Sequence, residues 1–286
     1  MGSRMVVVVA AMGAGCGRIA FDPTSQDAYP TGPFGTAVQL PALDTGGADD
    51  PALTGDELEI TFTSDRAGGV GTCDVWTATR SSTTASWTTP MSLGAPVNTA
   101  LCESGAFPSV DGLTLWLATR PAGTFDLVES TRATRTSAWQ APVALTALSS
   151  MSDDSSPTVT ADALVIAFAS NRTGVSRLYI SSRASEADGW SAPMLVGPLT
   201  SGTKERSPHL SRDGLTLWFI SDALGTQDIW VASRPDRASS FGTAVVVSEL
   251  ATSDDEDDPW VSGDGHRIYF ARYPTTGNPT LWVATR

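Results

Sequence analysis

Carboxylates dominate the residues of this chain that could do chemistry. They collect in short acidic runs: Asp49-Asp50, Glu103, Asp153-Asp154, Glu205 and Asp254-Asp255-Glu256-Asp257-Asp258. Brought to one place, such groups could ligate Ca²⁺ through oxygen, attract a cationic partner, or act in pairs as acid and base on a glycosidic bond. A second set, Asp65-Arg66, Arg120, Asn171-Arg172, Asp222 and Arg272, could partly neutralise them and leave only a solvated rim. The acidic runs are not EF-hand loops, because no D-x-D-x-D-G stretch leads to a terminal glutamate. Nucleophilic catalysis has less to draw on. His209 and His266 are the two histidines, and there is no G-x-S-x-G elbow, zinc-ligand spacing or phosphate-binding loop. What the acids can do depends on what gathers them.

The bulk composition narrows the choices. The chain has 286 residues, with 18 Lys+Arg against 31 Asp+Glu and a formal net charge of −13, which opposes a nucleic-acid partner. Nine Trp, nine Phe and four Tyr supply the apolar bulk of a folded core. Twenty-six Gly and 18 Pro, with almost no helix-like stretches, point to many turns and therefore many strands.

The elements that position the acids repeat. An aspartate recurs at Asp56, Asp111, Asp162, Asp213 and Asp264, preceded by Pro51, Pro108, Pro157, Pro208 and Pro259 and followed by Arg80, Arg132, Arg183, Arg234 and Arg286. The aspartate spacings are 55, 51, 51 and 51, so one unit spans about 51 residues. Each unit reads as four short strands. The first is expected to start at the proline, as in Pro208-His209-Leu210-Ser211, and Asp-Gly at 111–112, 213–214 and 264–265 supplies the positive φ of a tight hairpin into the second. The third carries Trp76, Val128, Tyr179, Trp230 or Trp282. The fourth is expected to begin at Trp87, Trp139, Trp190 or Phe241, three of which are followed by Pro90, Pro142 and Pro193, as an outermost edge strand tolerates.

The fifth unit ends at Arg286 before its fourth strand. Phe34-Gly35-Thr36-Ala37-Val38-Gln39-Leu40 matches Phe241-Gly242-Thr243-Ala244-Val245-Val246-Val247 and supplies it. The expected fold is all-β: a five-bladed β-propeller of four-stranded antiparallel blades, the ring closed by strand 34–40. The motif D-P-x-x-S-x-D-G-x-x-[LI]-x-F-x-S-[DN]-R, then D-[IV]-W-x-A-[ST]-R, fullest at 206–234 and 50–80, resembles the TolB-type, WD-repeat-like propeller repeats of bacterial envelope proteins. The resemblance covers 34–286 and implies a fold rather than an activity. TolB has a further N-terminal domain that 17–33 cannot supply. Ser109 to Trp116 and Ser211 to Trp218 resemble sialidase Asp-boxes but lack the residue between Asp and Gly.

The N-terminus reads as an address. Residues 1–15 carry one arginine and a short apolar run, too short to span a bilayer, and Ala14-Gly15-Cys16 resembles a bacterial lipobox. That resemblance implies a signal peptide over 1–15, lipid on Cys16, a tether over 16–33, and a Gram-negative envelope location, with Gly17 favouring the outer membrane. Two loops of the first unit are longer by about three residues and hold Cys73 and Cys102, which would meet on one face as a disulfide.

In a propeller the acidic runs and the second set converge on that same face. Asp50, Arg66, Glu103, Arg120, Asp154, Arg172, Glu205, Asp222, Asp258 and Arg272 are its candidate binding rim, while His209 and His266 fall toward opposite faces. The expectation is a monomeric module binding an envelope protein or a polysaccharide through the acidic face. It needs no cofactor, with Ca²⁺ an option at the rim and membrane contact only through the lipid. The competing reading is a glycoside hydrolase that draws its acid and base from Asp50, Glu103, Asp154, Glu205 and Asp258.

Overall fold

The computed structural model describes residues 32–121 and 123–286. Cys16 and the stretches expected to be a signal peptide and most of a tether lie outside the described residues. Twenty strands form five four-stranded antiparallel sheets, the blades of a propeller. Strand β1 (Val38–Gln39) belongs to the last blade. Blade 1 is β2 (Asp49–Leu53), β3 (Glu59–Ser64), β4 (Asp74–Thr79) and β5 (Met91–Ser92). Blade 2 is β6 (Glu103–Pro108), β7 (Thr114–Thr119), β8 (Asp126–Thr131) and β9 (Val143–Ala144), and blade 3 is β10 (Asp154–Val159), β11 (Val165–Ser170), β12 (Arg177–Ser182) and β13 (Met194–Leu195). Blade 4 is β14 (Glu205–Leu210), β15 (Thr216–Ser221), β16 (Asp228–Ser233) and β17 (Val245–Val246). Blade 5 is β18 (Asp255–Val261), β19 (Arg267–Tyr273), β20 (Thr280–Thr285) and, from the other end of the chain, β1.

Ring closure follows the expected match of 34–40. Val38 pairs with Val283 and Gln39 with Trp282, and Gly35 N donates to Thr285 O at 2.7 Å. The repeated side chains explain why each blade looks the same. Each turn aspartate accepts the hydroxyl two residues before it, 2.5 to 2.7 Å from Thr54, Ser109, Thr160, Ser211 or Ser262. It also accepts the backbone N–H two residues after it, which fixes the hairpin. Each repeated arginine donates Nε to the carbonyl of the positive-φ hairpin residue, Glu57, Gly112, Ala163, Gly214 or Gly265. Its guanidinium lies 4.2 to 4.5 Å over the aromatic leading into the outer strand: Trp87, Trp139, Trp190, Phe241 and, for Arg286, Phe34. The fifth pair uses the two ends of the chain.

The core lies between blades. Phe62, Trp76, Trp260 and Tyr269 pack at the junction of blades 5 and 1, and Trp116, Phe168 and Tyr179 between blades 2 and 3. Burying aromatics of ~150–250 Å² each makes every junction a major source of stability.

Two expectations about strand ends are corrected. The first strands start before the prolines, at Asp49, Glu103, Asp154, Glu205 and Asp255. In four of the five first strands the proline sits instead at a register break, just after a residue with positive φ: Asp50 (51°), Ser156 (50°), Ser207 (47°) and Asp258 (52°). A bulge with its first residue left-handed explains both observations, and proline tolerates it because no ladder bond is lost. In blade 2 that place is Gly105 (62°) followed by Ala106, so Pro108 is two positions out of phase with the other prolines. The second correction concerns the outer strands, which are only two residues long and begin after the aromatic rather than at it. There the aromatic is turned under its arginine instead of entering the ladder.

Candidate functional site

The five bulge residues form a ring. Asp50, Gly105, Ser156, Ser207 and Asp258 line the channel together, and above them opens a mouth cavity of about 710 Å³. The left-handed backbone turns each of these side chains toward the axis. At Gly105 a Cβ would come 3.1 Å from Ser156 Cα, so blade 2 leaves that place bare. The ring is therefore lopsided. Its two carboxylates belong to blades 5 and 1, adjacent across the closure seam, and the rest is small and neutral.

Four aspartates concentrate at this seam. Asp50 Oδ2 accepts Thr63 Oγ1 at 2.8 Å and Gly105 N at 3.0 Å, and Asp50 N donates to Asp258 Oδ2 at 3.3 Å. Asp49 Oδ2 accepts the Tyr273 hydroxyl at 2.7 Å, and Asp257 pairs with Arg206 from blade 4. Burial, reinforced by the other carboxylates of the group, pushes Asp49, Asp50, Asp257 and Asp258 up to about 7. Tyr273 is raised in the same way, first by burial and then by Asp258 and Asp49. Burial opposes the charge of Arg206, but Asp257 and Asp258 outweigh it and hold its pKa above the usual arginine value.

The opposite wall is different. Arg120, lying 4.2 Å over Phe125, and Lys204 line it together with Ser155, Ser156, Asn171 and Ser176. Asp153 there accepts Phe125 N at 2.9 Å and Asn171 Nδ2 at 3.1 Å. The cavity thus has an acidic side, a basic side and an aromatic between basic groups and polar hydroxyls. Below the ring the channel is closed. His209 sits fully buried in it, 6.0 Å from Phe107 and 5.8 Å from both Trp218 and Trp260, with Nε2 3.1 Å from Val261 O. Burial drives its pKa to about 3, so it stays neutral as part of a plug. His266 lies at the hairpin end, as expected for the opposite face. There Arg212 Nη2 spans the channel to Gly55 O at 2.5 Å.

The candidate rim residues separate into two groups. Asp50, Arg120 and Asp258 line the cavity. The others brace loops beside it. Glu103 accepts Thr99 N at 2.8 Å, Asp154 accepts Ser150 N at 2.6 Å, and Glu205 accepts Leu199 N at 2.7 Å, each fully buried. Asp222 holds Thr203 and Lys204 by their backbone amides. Arg66, Arg172 and Arg272 reach the carbonyls of Leu43, Leu148 and Leu250 and lie over the aromatics of their own blades. Arg272 does so from inside β19, two positions ahead of the phase of Arg66 and Arg172. Sequence reasoning missed Arg206 and Tyr273 as site residues. Tyr273 shares its phase with Asp65, Arg120, Asn171 and Asp222, so the repeat itself carried that signal.

The Cys73–Cys102 disulfide is present, joining the β3–β4 loop to the start of blade 2 with Cα atoms 4.6 Å apart. Both cysteines lie in the cavity wall.

No protein-family model matches the chain, and no curated relative does. Solved structures do. TolB from Acinetobacter baumannii superposes with a TM-score of 0.54 at 17% identity over 82% of this chain, which spans about half (54%) of that protein. Zg3597, a family 117 glycoside hydrolase from Zobellia galactanivorans, gives 0.59 at 14% identity, covering 88% of this chain and 90% of that one. An α-L-arabinofuranosidase from Lactobacillus brevis gives 0.58 at 11%, covering 87% and 94%. The propeller fold, five-bladed in this chain, is thus shared with TolB and with glycoside hydrolases, and at these identities the likeness is one of fold alone.

Proposed function

We propose that the protein is a non-enzymatic recognition module of the Gram-negative cell envelope, a lipoprotein held through Cys16, that binds an envelope protein or polysaccharide at its channel mouth. The observation that carries this reading is the arrangement of the carboxylates. Glycosidases hold two carboxyl groups ~5–9.5 Å apart on either side of the scissile bond. Here the four aspartates share one wall and are bonded to one another, to Thr63, Gly105 and Tyr273, and to Arg206. These bonds run along the seam on one side, and the large polar cavity beside it is left as a surface for contact. No cofactor enters this reading, and a melting temperature unmoved by added Ca²⁺ would agree with that.

A second reading rests on the same groups. Carboxyls with pKa values about 7 include one able to give a proton and one able to take it, as a hydrolase requires. Titrating an oligosaccharide panel while monitoring products separates the two. Binding without turnover supports the module, as does capture of a defined envelope protein that is lost on Arg120→Ala. Turnover abolished by Asp50→Asn or Asp258→Asn establishes the hydrolase.

A further inference from the structure

The two ends of the propeller differ in a way the repeat does not require. Five side chains among the exposed large hydrophobics of the described residues stand on mouth-side loops: Val70, Leu101, Met151, Val175 and Leu224, exposed by 40 to 99%. The remaining ones lie on the outer strands, and none lies on the hairpin end. Four of the five blades contribute to this crown, and Val175 also lines the cavity. Gathered at one end of the fold among polar groups, these side chains offer a protein partner apolar area to bury.

Charge selects the partner. Mouth-side loops and strand ends carry eighteen Asp and Glu against seven Lys and Arg, while the rest of the described chain carries eleven against nine. Most of the formal net charge of −13 therefore lies at the end that bears the crown, part of it buried beneath the surface. Such a face repels anionic lipid and nucleic acid and draws in cations.

Building on the proposed binding role, we infer that the mouth face docks a protein segment in which basic side chains are flanked by apolar ones. The apolar neighbours rest on tips such as Met151 and Leu224, and the Lys or Arg enters the cavity toward the Asp49–Asp258 wall. Affinity comes from the tips, and approach and register from the field.

The test is a display library of random dodecapeptides selected on the immobilised full-length protein. Expected are sequences pairing Lys or Arg with Leu, Ile, Phe, Met or Trp, whose binding weakens severalfold as salt masks the field. Met151→Asp with Leu224→Asp should weaken these peptides by about tenfold or more. Met194→Asp, on an outer strand and as exposed as Leu224, should leave binding intact. No enrichment, acidic or purely apolar winners, or indifference to the double substitution overturns the inference. Self-association or anionic-vesicle binding abolished by the same double substitution also overturns it, by giving the face a different occupant. An oligosaccharide bound in the cavity without any selected peptide overturns the inference while leaving the recognition module standing.

Discussion

At the hairpin end of the channel, charges are paired by the fold. Glu57 of blade 1 receives Arg267 of blade 5 through two bonds of 2.6 and 2.7 Å and has Arg80 and Tyr269 beside it. Arg132 reaches Glu59, Arg135 reaches Asp56, and Arg237 reaches Asp162, each from the following blade. At the mouth, the same seam between blades 5 and 1 is built from four carboxylates with Arg206 as their cation. One seam thus carries two opposite electrostatic designs. Ion pairs hold its lower half. Its upper half gathers buried carboxylates whose burial and mutual repulsion favour the protonated form, an arrangement that costs stability when they ionise.

This contrast can be broken from its strong side first. Glu57→Ala leaves Arg267 and Arg80 without their buried partner and should cost about 3–5 kcal/mol in denaturant unfolding. A loss below about 1 kcal/mol would dissolve the contrast. The mouth depends next on its covalent link. Replacing Cys73 and Cys102 by serine should cost about 2–4 kcal/mol, and alkylation of the native protein should find neither thiol free.

The carboxylate wall should respond to pH with the opposite sign from an ordinary ion pair. Asp49, Asp50, Asp257 and Asp258 have folded pKa values about 7, above the unfolded carboxylate range, so the folded state binds more protons between about pH 4 and 7. The stability they contribute is present in acid and lost as pH rises through 7. His209 works the other way, losing stability as pH falls from its unfolded value toward 3, but it is one group against four. The melting temperature should therefore fall from pH 5 to pH 8, and Asp258→Asn should raise it by about 2–6 °C at pH 8 with little gain at pH 5. A melting temperature that rises with pH would refute this account of the wall. The smallest effect belongs to the half-exposed Arg135–Asp56 pair, where Arg135→Ala should cost no more than about 1 kcal/mol.

The fold was legible because five copies of each landmark repeat at nearly one spacing, and the missing fifth outer strand was legible because Phe34 could be matched to Phe241. The site was less so. An acidic run says which loop is charged, but not which of two successive acids faces the channel. Asp257 and Asp258 turn inward, while Glu256, immediately before them, braces Thr252. That choice is made by the bulge, and the proline after Asp50, Ser156, Ser207 and Asp258 marks it without naming it. Pro108, out of phase by two positions, obscured the same mark in blade 2. Arg206 was hidden for another reason, since its partner Asp257 is 51 residues away and on another blade.

The manner of ring closure also sets an orientation. Strand β1 runs from the hairpin end toward the mouth, and Arg286 Nη1 donates to Gly32 O at 3.3 Å, so the described chain enters from the hairpin side. The described chain therefore starts at the end of the propeller opposite the acidic mouth and its apolar crown, so the two ends of the ring divide the work: one receives the chain and seals the ring, and the other is left open.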